Sequence, residues 1–317
     1  MRVPLPAAMI TISSAMRSLP FVARARIIFA LALCSLLLGG CSVLRITYPQ
    51  APTLAYWMID NYVDFTSAQT TRAREAIGQV YAWHRSTQLP VYAGLLQRAQ
   101  AEVVSSVTPA QICGWVDEVQ AQMNTSFEYA LPAVAEIALT LDAQQLAHMQ
   151  GRFDKTNADF RDDFMQPDPK ERLKASVKRS VDRLEILYDT IDDKQREEVV
   201  RAVAASPFDP ERWLADRIAR QQIVLQTVRR LQRDRASPAQ AQAALRVLAN
   251  QVQQSPNPAM REAQDRLKRY GCEFGARFHN ATTPKQRKFA AERLKGWADD
   301  LRTLAAEPKD PPGPPPT

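Results

Sequence analysis

At six places along this 317-residue chain, each opening an amphipathic stretch, a Ser, Thr or Asp is followed three positions later by Gln. The pairs are Thr66/Gln69, Thr108/Gln111, Asp142/Gln145, Asp192/Gln195, Ser237/Gln240 and Thr283/Gln286. The spacing is that of a reciprocal capping box: the first side chain accepts from the amide three residues on, and Gln reaches back to the first residue's N–H. At Pro109, Pro238 and Pro284 the next residue suits the first helical position, where no N–H is needed. Each cap contributes about 1 kcal/mol, so six of them commit the chain to helices. Apolar residues then recur at three- and four-residue steps. The stripes read Ile112, Val116, Val119, Met123, Phe127; Val177, Val181, Leu184, Tyr188, Ile191; Leu214, Ile218, Leu225, Val228; and Ala290, Leu294, Trp297, Leu301, Leu304. Each is expected to face a core. No period-2 segment is convincing, so the class is all-α. Pro90, Pro132, Pro167/Pro169, Pro207/Pro210 and Pro256/Pro258 are expected to interrupt helices. The result is an elongated multi-helix bundle of about ten helices over residues 53–306. The cap spacing also fits helical-hairpin repeats, but the intervening residues share little beyond amphipathicity, and the bundle is preferred.

The N-terminal region has a different character. Arg17, Arg24 and Arg26 precede an apolar run over residues 27–38, which closes on Leu38-Gly39-Gly40-Cys41. The pattern is that of a secretory signal, too short for comfortable membrane spanning. Its end looks like a lipobox, with cleavage between Gly40 and Cys41 and acylation of Cys41. The true start is Met1 or Met16. Residues 1–40 are then signal peptide and residues 41–52 a lipidated tether. Residues 307–317, rich in Pro, are a tail of polyproline character that cannot pack.

Cleavage alters two further arguments. The formal charge of +7 falls to +3 once the four arginines of residues 1–40, which contain no acid, are set aside. The remaining charge is mixed rather than gathered in a stripe, which disfavours a nucleic-acid partner. Of the four cysteines, Cys34 leaves with the signal and Cys41 is modified. Cys113 and Cys272 remain as a candidate disulfide in an oxidising compartment, with two buried thiols as the alternative.

Motifs for chemistry are missing. His84, His148 and His279 are the three histidines, and none has metal-ligand spacing; no Gly-x-Ser-x-Gly elbow or phosphate loop occurs. The acidic pairs Asp162-Asp163, Asp192-Asp193, Glu197-Glu198 and Asp299-Asp300 are adjacent in sequence, and adjacent helical residues do not face each other. No catalytic residue, metal or cofactor is assigned, and the chain reads as a non-enzyme. Two stretches have unusual composition. Residues 56–65, with Trp83-His84, place Trp57, Tyr62, Asp64, Trp83 and His84 on a candidate interaction surface near the anchor, facing either a partner or the membrane. Aromatics at helical spacing are also ordinary core, which would have Trp57, Tyr62 and Phe65 anchor the first helix. In residues 153–164, Asn157 stands in a seam of Phe153, Phe160 and Phe164, either specifying register or lining a groove, and in the second case it joins the candidate interaction surface.

Taken as an ordered series, the lipobox, Tyr62-Val63-Asp64-Phe65-Thr66-Ser67-Ala68-Gln69, Ala82-Trp83-His84-Arg85, Leu89-Pro90-Val91-Tyr92 and Asn157-Ala158-Asp159-Phe160 resemble a family of proteobacterial lipoproteins known only as a domain of unknown function. The resemblance runs over nearly all of the mature chain and implies a helical periplasmic lipoprotein without catalytic residues. The helix starts are also similar to those of Spy/CpxP-type envelope-stress proteins. The expected function is a non-enzymatic scaffold or protein-interaction module, held by an acylated cysteine on the periplasmic face of the outer membrane and acting on an envelope protein partner. The absence of Asp after Cys41 favours the outer membrane. The alternatives are a periplasmic chaperone or stress protein, and an enzyme acting on lipid or peptidoglycan.

Overall fold

The computed structural model describes residues 43–307. The signal segment with Gly40 and Cys41, and the tail beyond residue 307, lie outside the described residues. Two units are distinguished. Of Met1–Ile46, the described part belongs to a short helix, α1 (Val43–Thr47). The unit Thr47–Thr317 contains a 3-10 turn (Tyr48–Gln50), α2 (Ala51–Val63), α3 (Ser67–Trp83), a π-helical turn (His84–Gln88) and α4 (Leu89–Glu102). It continues with α5 (Pro109–Thr140), α6 (Ala143–Phe164), α7 (Pro169–Tyr188), α8 (Asp193–Ala204), α9 (Pro210–Arg233), α10 (Pro238–Gln253), α11 (Pro258–Asn280) and α12 (Pro284–Ala306). Among the described residues there is no strand. With α3, the π turn and α4 taken as one continuous rod and α1 set aside, the helices number ten. The helical body starts at Thr47, earlier than residue 53, and Glu307 closes α12 by donating its N–H to Thr303 O.

All six capping boxes form, at α3, α5, α6, α8, α10 and α12. Three further helices begin with an Asx cap followed by Pro: Asp168 for α7, Asp209 for α9 and Asn257 for α11. Pro169, Pro210 and Pro258 therefore start helices as well as ending the preceding pattern. Four of the boxes also join in pairs. Gln69 and Gln145 exchange amide hydrogen bonds of 3.2 and 2.7 Å, and Gln195 and Gln286 exchange two of 2.9 Å. In each pair a Gln reaches on to the other hairpin's backbone. Gln69 donates to Thr140 O, Gln145 to Asp64 O and Gln286 to Thr190 O. The tip of hairpin α2/α3 is thus bolted to that of α5/α6, and α7/α8 to α11/α12.

Two Pro expectations are corrected. Pro132 does not break α5, which runs unbroken for 32 residues with Leu131 and Ala135 fully buried on either side. Tertiary packing overrides the local cost here. Pro90 does not break the rod either. In a regular α-helix its ring would meet the carbonyl of Ser86. Instead the Leu89 N–H bonds back five residues to His84 O, and the hydroxyls of Ser86 and Thr87 donate to carbonyls one turn earlier. The π turn absorbs the proline.

At 1.5 Å per residue α5 is about 48 Å long, and it contributes to three core clusters. Trp115 packs with Val181, Tyr188, Val199, Phe278 and Leu294. Leu131, Ala135 and Ala138 pack with Leu231, Ala241 and Leu245. Ile137 and the adjoining Leu141 pack with Val63, Leu146, Leu225 and Val228. The spine is pinned by Cys113–Cys272, a disulfide joining α5 to α11 with Cα atoms 5.5 Å apart. The most extensive helix pairing is between α4 and α12, nearly 200 residues apart in sequence. A solenoid, whose repeats touch only neighbours, has no such pairing. The architecture is a multi-helix bundle.

Candidate functional site

Three of the four apolar stripes face the core as expected, and the fourth does so at Phe127 but not along its middle. Val116, Val119 and Met123 of α5 are exposed. The reason lies in what brackets α5. On one side Asp117 pairs with Lys268, Asn124 accepts from Gln253 Nε2 at 2.7 Å, and Glu128 pairs with Arg246 at 2.8 Å. On another side Glu118 pairs with Arg98, Tyr129 stacks on Trp83, and Glu136 pairs with Arg72 at 2.7 Å. These polar contacts fix α5 between α10/α11 and the α3–α4 rod and turn its apolar stripe outward.

A second outward apolar face belongs to α2. Tyr56 and Val63 are buried, and the Tyr56 hydroxyl is 3.1 Å from Thr70 Oγ1 on α3. Leu54, Trp57, Met58 and Ile59 are exposed. The core reading of Trp57 is therefore corrected: Tyr56, its neighbour, holds the inward position. Tyr62 is half-buried, its ring 6.0 Å from that of Phe153, and Phe65 packs in the same core. Asp64 is exposed at φ 57°, closing α2 through its own N–H to Asp60 O, while its carbonyl receives Gln145. It is a turn residue.

Trp83 lies face to face with Tyr129, centroids 4.2 Å apart and 8° from parallel. His84 opens the π turn, and its Nδ1 is 2.9 Å from the Tyr48 hydroxyl. The rings of Tyr48, Tyr81 and Tyr92 lie within 6.3 Å of the imidazole, and Arg85 stands 5.6 Å over the Tyr48 ring. Burial pushes Tyr48 up to about 12 and holds His84 below its ordinary value. The pair is a neutral phenol on a neutral imidazole, which fastens residue 48 to the rod. Asn157 is corrected to a structural role. It is buried, it exchanges hydrogen bonds with Gln221 at 2.8 and 3.2 Å, and it accepts from Arg217 Nε at 3.0 Å. It fixes the register of α6 on α9 and lines no groove.

His279 is also buried and partnered. Its Nε2 is 2.8 Å from Ser105 O, which can only accept, so Nε2 carries the proton and Nδ1 accepts from the Tyr188 hydroxyl at 2.9 Å. Among the described residues no three His, Cys, Asp or Glu side chains converge as a metal site. Three of the clefts among the described residues have volumes of about 470, 200 and 590 Å³. The first is lined by Val104, Arg287, Lys288, Glu292 and neighbours, the second by Phe208, Asp209, Arg212 and Trp213, and the third by Thr227, Arg230, Arg233 and Gln251 among others. None of the three brings two carboxylates together. No helix of the described residues is long and apolar enough to cross a membrane.

The residues first set apart as one surface thus separate: Trp57 on the outward face of α2, Trp83 and His84 on the rod, Tyr62 and Asp64 at the interlocked turn, Asn157 inside. The outward positions Leu54, Met58, Val116, Val119 and Met123 went unrecognised. A signal for α2 was available, because residues 54–59 are all apolar and so fall on every side of a helix, which then needs cover on more than one side.

An all-helical bundle with interlocked caps and outward apolar faces defines the class. Within it, residues 61–254 match the model of a family of unknown function, DUF6279, and the chain belongs to that family. The match runs from the end of α2 through α10, a narrower span than the resemblance implied. No curated protein and no solved structure matches the chain.

Proposed function

We propose that this chain is a non-enzymatic helical scaffold, tethered by an acylated Cys41 to the periplasmic face of the outer membrane, that acts by binding an envelope protein. The observation that carries the scaffold reading is the exposed stripe Val116, Val119 and Met123, presented by the helix that all three cores share. Exposed apolar positions in register on a rigid element are suited to a partner helix or groove. The anchor reading rests on the apolar run and Leu38-Gly39-Gly40-Cys41.

The test has two arms in the native host. Cys41→Ser should move the chain out of the outer-membrane fraction; unchanged fractionation defeats the anchored reading. A photo-crosslinking residue at Val119 should give one discrete adduct, lost when Val116 and Met123 become Lys. Absence of any adduct, or a smear of many, defeats the scaffold reading, and a smear favours the chaperone.

A further inference from the structure

We propose that the outward face of α2 is a lipid-docking surface, lying in the headgroup region of the same bilayer that holds the anchor; this rests on the anchored reading above. Leu54, Trp57 and Met58 are 47, 59 and 70% exposed and stand at i, i+3 and i+4, so they share one side of the helix. Ile59, also exposed, widens the stripe, and the exposed Asn61 continues it at i+7 without adding charge. The other side of α2 is already used, by Tyr56 against α3 and by Val63 in the core. This 13-residue helix thus carries a second apolar side that no element of the bundle covers among the described residues. Tryptophan suits the headgroup region, because its ring prefers the apolar side of the interface and its N–H the wet side.

Position decides what covers this side. Tyr48 is fastened to the rod by its contact with His84 Nδ1 at 2.9 Å and its edge-on contact with the Tyr81 ring at 6.0 Å. The chain between the acylated residue and this fixed point therefore runs only from Cys41 to Tyr48. Seven residues span at most about 25 Å when fully extended. The stripe starts six positions past Tyr48, at Leu54. Chain connectivity alone keeps a bilayer in the neighbourhood of these side chains, whereas a protein partner has to arrive. Two weak membrane contacts on one short link reinforce each other through effective concentration.

The experiment uses the full-length protein purified from its membranes. Intact mass first reads acylation of Cys41, which tests the anchor alone. The protein is reconstituted in phosphatidylethanolamine/phosphatidylglycerol vesicles with and without brominated acyl chains, and Trp fluorescence is recorded for the wild type and for Trp57→Phe. Bromolipid quenching in the wild type that disappears in Trp57→Phe is the expected result. Leu54→Ser with Met58→Ser should cut the quenching severalfold while the thermal melt stays put, which separates docking from folding. Acylated protein whose Trp57 is untouched by bromolipid overturns the proposal and leaves the anchor standing; so does shielding of Trp57 from acrylamide in lipid-free protein, since a second copy or another protein then covers the stripe. If Cys41 carries no acyl chain the anchored reading fails by itself, and the unacylated protein added to the same vesicles decides the docking: quenching of Trp57 keeps it, none overturns it.

Discussion

Replacing Gln145 with Ala tests whether the interlocked caps hold the bundle together or only decorate helix starts. Gln145 is 4% exposed and uses its whole amide. Oε1 accepts from the Asp142 N–H at 3.1 Å and from Gln69 Nε2 at 3.2 Å, while Nε2 donates to Asp64 O at 2.9 Å and to Gln69 Oε1 at 2.7 Å. Truncation removes half of a capping box, about 1 kcal/mol. It also strands the Asp64 carbonyl and one side of the Gln69 amide in a half-buried seam, at about 1 kcal/mol or more each. The expected loss is about 3 kcal/mol, which for a body of this size is a fall in Tm of roughly 6–12 °C. Gln240→Ala is the internal comparison. That glutamine makes the same box with Ser237 but is exposed and bolts nothing, so its loss should stay near 1 kcal/mol. Thermal and urea melts followed by circular dichroism measure both, and a cycle with Gln69→Ala should show coupling of about 1 kcal/mol or more. Equal losses at Gln145 and Gln240, or additive behaviour of Gln69 and Gln145, would refute the bolting argument.

Three further outcomes are expected. Reduction of Cys113–Cys272, or Cys272→Ser, opens a loop of 159 residues and should lower stability by about 4–5 kcal/mol in the chain-entropy model, read as the gap between non-reducing and reducing melts; coincident melts would show that the bridge is absent or idle. Burial holds His279 and His84 below the ordinary histidine value of 6.5, so the unfolded chain takes up these protons first. Stability should therefore be fully present above pH 6.5 and decline as the pH falls below it, and His279→Gln should flatten part of that decline in urea midpoints measured between pH 7.5 and 5; an unchanged slope counts against it. Asn157→Ala leaves Gln221 and Arg217 without their shared partner and should cost about 2–3 kcal/mol without altering any partner crosslink at Val119; the reverse pattern would return Asn157 to the interaction surface.

The features legible in the sequence were those written in local chemistry. Thr66 and Gln69 identify each other across three residues, and all six such pairs form the box the spacing demands. Stripes such as Val177, Val181, Leu184 and Tyr188 were legible because a single neighbourhood of helices buries them. What failed was long-range. Nothing near Gln69 announces Gln145, 76 positions away. Val116, Val119 and Met123 have the periodicity of a core seam, and only the contacts of other α5 residues with distant helices, in the cores and through Asp117, Glu118 and Glu128, show that different sides of the helix are the covered ones. Pro132 reads as a breaker until Leu131 and Ala135 are seen packed from both sides of the turn. Asn157 is ambiguous for the same reason, since its partners Gln221 and Arg217 lie 60 or more residues on.

The placement of the α5 stripe separates a dedicated scaffold from a general holder of unfolded chains. A holder needs adaptable apolar surface, commonly Met-rich or loop-borne, that repacks around different clients. Here the stripe sits on a helix locked by a disulfide at Cys113, by ion pairs at Asp117, Glu118, Glu128 and Glu136, and by three cores. Such a surface loses little freedom on binding and discriminates by shape. Val119→Lys touches no core residue, so it should shift stability by no more than about 0.5 kcal/mol. For a fixed-shape interface it should nonetheless abolish the single crosslinked adduct, because a charge placed in a desolvated contact costs several kcal/mol. Partner capture that tolerates Val119→Lys while falling smoothly with total exposed apolar area would instead describe a holder, and would end the scaffold reading.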